Sequence, residues 1–328
     1  MQSSEFQRQI FQIHNDTEME RYALELFRIQ SERNLVYAAY VDALKIDRRS
    51  VHSIDKIPFL PIEFFKTHLV VTGDFSEEMV FTSSGTTGIQ TSRHYVKSTA
   101  WYKEVFTKGF ELFYGHASEY CILALLPSYL ERQGSSLIMM VEELIKATGD
   151  SGSGFFLHNH EELYAQLVAN IERGKRTLLI GVTFGLLDFA ERYQLPLHDA
   201  IIMETGGMKG RREELTRQEV GDILIDSFQV NSIHSEYGMT ELMSQGYSKG
   251  NGIFQCPPWM AVLPRDSSDP LTCERAGRGA LNIVDLANTD SCAFIASQDV
   301  GRVSEDGSFE VLGRIDRSDV RGCNLLVL

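Results

Sequence analysis

The chain has 328 residues, 43% hydrophobic and 23% charged, the make-up of a soluble globular protein with one elaborate domain or two. Its formal charge of −14 argues against a nucleic-acid backbone or an anionic membrane surface as main partner, but leaves room for a nucleotide in a local positive pocket with magnesium. The opening residues 1–22 are polar and charged without the apolar core of a signal peptide, and no run approaches a membrane span, so the expected location is cytoplasmic.

In chain order, residues 16–48 carry apolar positions at mixed three- and four-residue spacings and predict helix within a helical N-terminal extension of residues 1–56. The proline-containing stretch 57–62 predicts an extended segment. A short apolar run, Met79-Val80-Phe81, leads into TSSGTTG, residues 82–88, drawn wholly from Ser, Thr and Gly. Glycines let the backbone approach a ligand closely, and hydroxyls with free amides offer donors to phosphate oxygens. The loop is neither a Walker loop, since no Gly-Lys-Ser/Thr follows, nor GxGxxG. The bland alternative is a solvated turn.

Helix is predicted over 99–113 and, capped by a serine, over 136–147, with a buried strand at 121–126 ended by Pro127. Then 161–172 reads as helix, 177–182 as buried strand, 186–193 as helix, 200–203 as strand and 211–226 as a charged amphipathic helix. That alternation implies parallel βαβ units and an α/β fold. Residues 280–285, 292–296 and 309–312 predict short strands of a smaller β-rich part, and 256–279, with four prolines, the longest loop. The five cysteines, Cys121, Cys256, Cys273, Cys292 and Cys323, are odd in number without CxxC spacing, which fits reduced thiols.

Three further clusters follow the loop. ETGGMKG, from Glu204 through Gly206 and Gly207, comes just after a predicted strand, the carboxyl edge where parallel sheets bind ligands. SEYGMTE places Glu236, Tyr237 and Gly238 ahead of Thr240 and Glu241: a ring that can lie on a flat base, and a carboxylate suited to magnesium. QDVG and LGRID offer Asp299 as an acceptor for ribose hydroxyls and Arg314 as a phosphate-directed guanidinium. Each alone also reads as an ordinary turn, helix start or surface residue.

The order TSSGTTG, GG, EYGMTE, QDVG, LGRID resembles the adenylate-forming acyl-activating enzymes over roughly residues 60–328. The details SGTTGIQTSRHYV, LLPSYLERQGSSL, ETGGMKG and RSDVRGCNLL resemble its LuxE acyl-protein synthetase branch, the long-chain fatty acid–protein ligases. The resemblance implies that Ser83, Ser84, Gly85, Thr86, Thr87 and Gly88 cover the ATP phosphates. It implies that Gly206 and Gly207 line the adenine site and that Tyr237 stacks on the base. Thr240 would contact the α-phosphate, Glu241 would coordinate magnesium, Asp299 would hold the ribose, and Arg314 would reach ribose or phosphate. Asp316 falls at the superfamily's hinge.

Acyl-CoA synthetases continue past that hinge into a lid carrying a catalytic lysine. Here the expected organisation is an acyl-adenylating domain, 1–313, and a short segment, 314–328, with the lid missing or vestigial. Ser128 and Tyr129 stand where many members have an aromatic or histidine gate. In the LuxE branch the acyl group is parked on a cysteine near the terminus, which Cys323 in RGCNLL matches, with Arg321 close by to favour the thiolate. The implied chemistry is ATP-dependent conversion of a carboxylic, fatty acid to acyl-AMP and then transfer to a protein thiol, the final acceptor being a reductase or acyl carrier. The alternatives are an aryl- or acyl-CoA ligase of the phenylacetate type and a non-catalytic adenylate-binding module.

Overall fold

The computed structural model describes residues 3–83, 91–126, 134–157, 159–206, 215–266, 269 and 271–315. Three helices open the chain: α1 (Ser3–Ile10), α2 (Asp16–Arg33) and α3 (Leu35–Ala43). The stretch expected to be helical over 16–48 holds two helices, because Asn34 ends one and starts the next. Its backbone N–H bonds to the Gln30 carbonyl, while its side chain accepts from Tyr37 N. The segment expected to be extended holds β1 (Leu60–Pro61), followed by α4 (Phe64–Thr67). A separate two-stranded hairpin, β2 (Met79–Thr82) with β3 (Arg93–Val96), brackets the Ser/Thr/Gly loop.

Next come α5 (Thr99–Tyr114), β4 (Cys121–Leu125), α6 (Ser136–Thr148), β5 (Gly154–Phe155), α7 (His160–Glu172), β6 (Thr177–Val182), α8 (Thr183–Ala190), β7 (Ile201–Thr205), α9 (Arg217–Phe228) and β8 (His234–Tyr237). Ser135 caps α6 by accepting from Ile138 N. The helix expected at 186–193 begins at Thr183, directly off β6, and ends at Ala190. The helix expected from 211 is described from Arg217, where Thr216 and Glu219 form a capping box.

Strands β9 (Gly246–Ser248), β10 (Ile253–Gln255), β11 (Met260–Arg265), β12 (Gly277–Asp285), β13 (Phe294–Val303) and β14 (Phe309–Arg314) complete the described elements. The loop expected over 256–279 therefore contains a six-residue strand. Its Pro264 is tolerated because β11 is the outermost strand of the described sheet. Likewise β13 runs well past the expected 292–296.

The strands form one sheet in the order β11-β12-β13-β14-β10-β9-β8-β7-β6-β4-β5, with β1 parallel to β13. Pairing is parallel from β5 to β8 and antiparallel from β8 to β11. The expected β-rich part is thus continuous with the βαβ half. Strand alternation splits the parallel half between two cores. Ile122, Ala124, Leu178, Ile180 and Met203 pack with α5, α6 and the N-terminal helices, whereas Cys121, Leu123, Leu125, Leu179 and Ile202 pack with α7, α8 and α9. Burial on both faces explains why CILAL and TLLIGV are continuous apolar runs. Each fully buried leucine there is worth roughly 2 kcal/mol.

Candidate active site

The carboxyl ends of β7 and β8 lie side by side, with Thr205 paired to Glu236. Just beyond Thr205, Gly206 turns at φ +74°, a left-handed conformation that favours glycine, and the Thr183 hydroxyl donates to its carbonyl at 2.8 Å. Thr205 Oγ1 donates to Glu236 Oε2 at 2.6 Å. Burial outweighs that bond and pushes the Glu236 carboxyl up to about 7, so it is largely protonated in mildly acidic solution. Gly238 is exposed beneath it; a side chain there would meet Glu236 Oε1.

Tyr237 points to the other face. Its ring is buried against Phe254 and Phe309, and its hydroxyl donates to Asp299 Oδ2 at 2.8 Å. Burial and the adjacent Asp299 charge hold the phenol well above its ordinary range. Asp299 lies within β13, beside the register shift at Val300/Gly301, not in a surface turn. Its Oδ1 is 4.0 Å from Arg314 Nε on neighbouring β14. With the guanidinium largely exposed and the contact this long, the pair contributes little stability.

Thr240 and Glu241 follow Tyr237, and the β2–β3 hairpin closes onto them. Ser83 and Ser92 bridge the hairpin mouth: Ser83 N donates to Ser92 O at 3.2 Å, and Ser92 N donates to Ser83 Oγ at 3.0 Å. The Ser92 side chain hydrogen-bonds the Glu241 carboxyl, and His94 Nδ1 lies 2.9 Å from the Thr240 carbonyl. Glu241 is only 4% exposed. Burial raises its carboxyl pKa, opposed by the Ser92 bond and by the nearby cations Arg314 and Lys66. Downstream, the buried Asp285 carboxylate accepts from Met243 N, Ser244 N, Ser244 Oγ and Ala287 N, fixing the segment after Glu241 to the end of β12.

The structure therefore gathers Ser83, Gly206, Glu236, Tyr237, Gly238, Thr240, Glu241, Asp299 and Arg314 around one sheet edge. Ser84, Gly85, Thr86, Thr87, Gly88, Gly207, Asp316 and Cys323 lie outside the described residues, as do Ser128 and Tyr129. Sequence reasoning passed over Ser92, His94, Thr205 and Asp285. A faint signal existed for the first two, since Ser92, His94 and Val96 alternate inward past outward Arg93.

Among the described residues no three His, Cys, Asp or Glu side chains converge as a metal cage. A single carboxylate such as Glu241 suits magnesium, which takes one or two carboxylates together with phosphate oxygens and waters. Between the sheet and helices α5 and α6 lies a small apolar void of about 10 Å³, room for about one water molecule. Phe110, Ile122, Met140, Leu178, Met203 and Tyr247 are among its lining residues. The Tyr247 hydroxyl is buried without a hydrogen-bond partner among the described residues.

Comparison with known proteins gives three findings. A family described as acyl-protein synthetase, LuxE, matches residues 10–328. The long-chain-fatty-acid–luciferin-component ligase of Aliivibrio fischeri is 24% identical over 332 residues, covering 92% of this chain and 85% of that protein. The crystal structure of ATP-bound MatB from Rhodopseudomonas palustris superposes with a TM-score of 0.54 at 14% identity, covering 74% of this chain. This chain spans 49% of the length of MatB, and the likeness shows a shared mixed α/β fold.

Proposed function

The chain belongs to the acyl-protein synthetase (LuxE) family, and from that premise we propose that it is an AMP-forming ligase that activates a fatty acid with ATP and passes the acyl group to a protein thiol. The observation that carries this reading is the convergence of Tyr237, Asp299, Arg314, Thr240 and Glu241, joined by the β2–β3 hairpin, on one sheet edge. A fatty acid as substrate is supported by the likeness to the long-chain-fatty-acid–luciferin-component ligase.

In the first step a carboxylate oxygen of the acid attacks the α-phosphorus of ATP. The bond from that phosphorus to the bridging oxygen breaks, and pyrophosphate leaves with the electron pair. Positioning and charge neutralisation supply most of the rate. Tyr237 packs beside the base, Asp299 accepts from the ribose hydroxyls, and Thr240 donates to the α-phosphate. Ser83 starts the loop over the outer phosphates, and Arg314 faces ribose or phosphate. Magnesium, held by Glu241, would supply charge neutralisation at the phosphates. In the second step a thiolate, assigned to Cys323, attacks the acyl carbon; the carbon–oxygen bond to AMP breaks and AMP departs. The thioester then passes to an acceptor protein.

Acid-dependent exchange of labelled pyrophosphate into ATP tests the first step, and its absence with a panel of carboxylic acids of graded chain length would overturn the proposal. For the second, labelled fatty acid and ATP without CoA should label the protein through a bond cleaved by neutral hydroxylamine. Cys323→Ser should abolish the label while sparing the exchange. Persistence of the label, or rapid acylation of free CoA with none on the protein, would instead favour a CoA ligase.

A further inference from the structure

Gln30 is wholly buried in α2, on the stripe that also carries Ala23, Leu26 and Phe27. Its amide nitrogen donates to the carbonyls of Asn288 (2.9 Å) and Thr289 (3.4 Å), and its oxygen accepts from Ala293 N at 2.9 Å. Asn288, 2% exposed, donates through Nδ2 to the carbonyls of Glu241 (2.8 Å) and Cys292 (3.0 Å). Because both partners of that nitrogen are carbonyls, the amide orientation is fixed and Oδ1 faces His94 Nε2 at 3.2 Å. His94, 1% exposed, thus has acceptors at both ring nitrogens, the Thr240 carbonyl being the closer. A neutral imidazole carries one N–H, which belongs on Nδ1, toward Thr240.

The carbonyls of two consecutive residues, Thr240 and Glu241, are thereby each held by a buried side chain. One belongs to the strand leaving the Ser/Thr/Gly loop, the other to the 286–293 segment that α2 grips. We propose that His94 and Asn288 are positioning residues that set Thr240 and Glu241 for adenylate formation, and that Gln30 makes the N-terminal helix α2 part of that device. The inference rests on the reading of Thr240 and Glu241 as the α-phosphate and magnesium residues. The helical N-terminal extension is then a working part of the site rather than an appendage.

The test compares two amides at position 94 in the full chain. His94→Asn places an amide nitrogen near the position of Nδ1 and preserves the bond to the Thr240 carbonyl. His94→Gln places it near Nε2, facing Asn288, and loses that bond. With folding monitored by thermal unfolding, the turnover of pyrophosphate exchange should fall no more than about threefold in His94→Asn and about tenfold or more in His94→Gln, the loss expected for one buried hydrogen bond. The KM for ATP should move little in either, since the carbonyl anchors matter most in the transition state. Gln30→Leu, which keeps the bulk and removes all three bonds, should lower turnover in the same sense.

Equal turnover in the two position-94 variants, or losses that merely follow unfolding temperature, would overturn the inference while leaving the adenylation reading intact. A wild-type protein without acid-dependent exchange would sink that reading, and this inference with it.

Discussion

Tyr237 and Asp299, 62 residues apart, are joined by a 2.8 Å hydrogen bond from the phenol to the carboxylate. The ring proposed to pack beside the base and the carboxylate proposed to hold the ribose are therefore one unit. Tyr237→Phe keeps the ring but frees Asp299, and a lost bond to a charged acceptor is worth roughly 1.5–3 kcal/mol. The KM for ATP should rise by about tenfold or more, with Tyr237→Ala worse. Steady-state exchange kinetics decide this, and a phenylalanine variant equal to wild type would show that the hydroxyl has no part in nucleotide binding.

Glu241→Gln keeps an acceptor for Ser92 but removes the charge offered to magnesium. Loss of one such contact costs roughly 3 kcal/mol in the barrier, so exchange should fall by about a hundredfold. The magnesium concentration for half-maximal activity should rise. An unchanged magnesium response would take Glu241 out of the metal site.

Two partly buried groups give pH dependences of opposite sign. Burial holds His234 down to about 4, so the folded state favours the neutral ring. That stability is present above the ordinary 6.5 and is lost as pH falls from 6.5 to 4. Glu236, raised from 4.5 to about 7, favours the protonated form in the folded state; its contribution is present below 4.5 and is lost as pH rises to 7. In urea unfolding, the cost of His234→Asn relative to wild type should therefore shrink from pH 6.5 to pH 4. Any advantage of Glu236→Gln should grow from pH 4.5 to pH 7 and level off above. Flat differences over these ranges would contradict the assignments.

Tyr247 carries a buried hydroxyl with no partner among the described residues. Burying an unpaired hydroxyl costs roughly 1–3 kcal/mol. Tyr247→Phe should raise the unfolding free energy by about 1 kcal/mol. A lower unfolding midpoint would show that the hydroxyl is paired in solution.

Much of the parallel half was legible because period and punctuation agreed. CILAL before Pro127 and TLLIGV are apolar on both faces, and the helices between them have clear starts. The antiparallel half was harder: β11 carries a proline, and β13 holds Asp299 in mid-strand, which reads as a turn. Glycine-rich and tyrosine-bearing motifs marked the sheet edge, since their residue types are costly elsewhere. The supports around them were not legible. His94, Asn288 and Gln30 meet partners 146, 47 and 258 residues away, respectively. Periodicity does not report pairings at such distances. Faint traces existed for two of them: Gln30 as a polar residue on a mainly apolar helical stripe, and His94 through its inward alternation with Ser92 and Val96.

That same glutamine constrains how the protein comes off the ribosome. At about 5–20 residues per second, on the order of 10–50 s separate the synthesis of Gln30 from that of Asn288, its partner 258 positions later. Throughout that interval the Gln30 amide lacks its partners, and Phe27 has the nearby Tyr37 but not Phe294 to pack against. The first helices of the chain are thus born as clients waiting for a late segment. Folding must close this very long loop before their burial is complete, a topology that favours slow, chaperone-exposed maturation over early docking of the N-terminus.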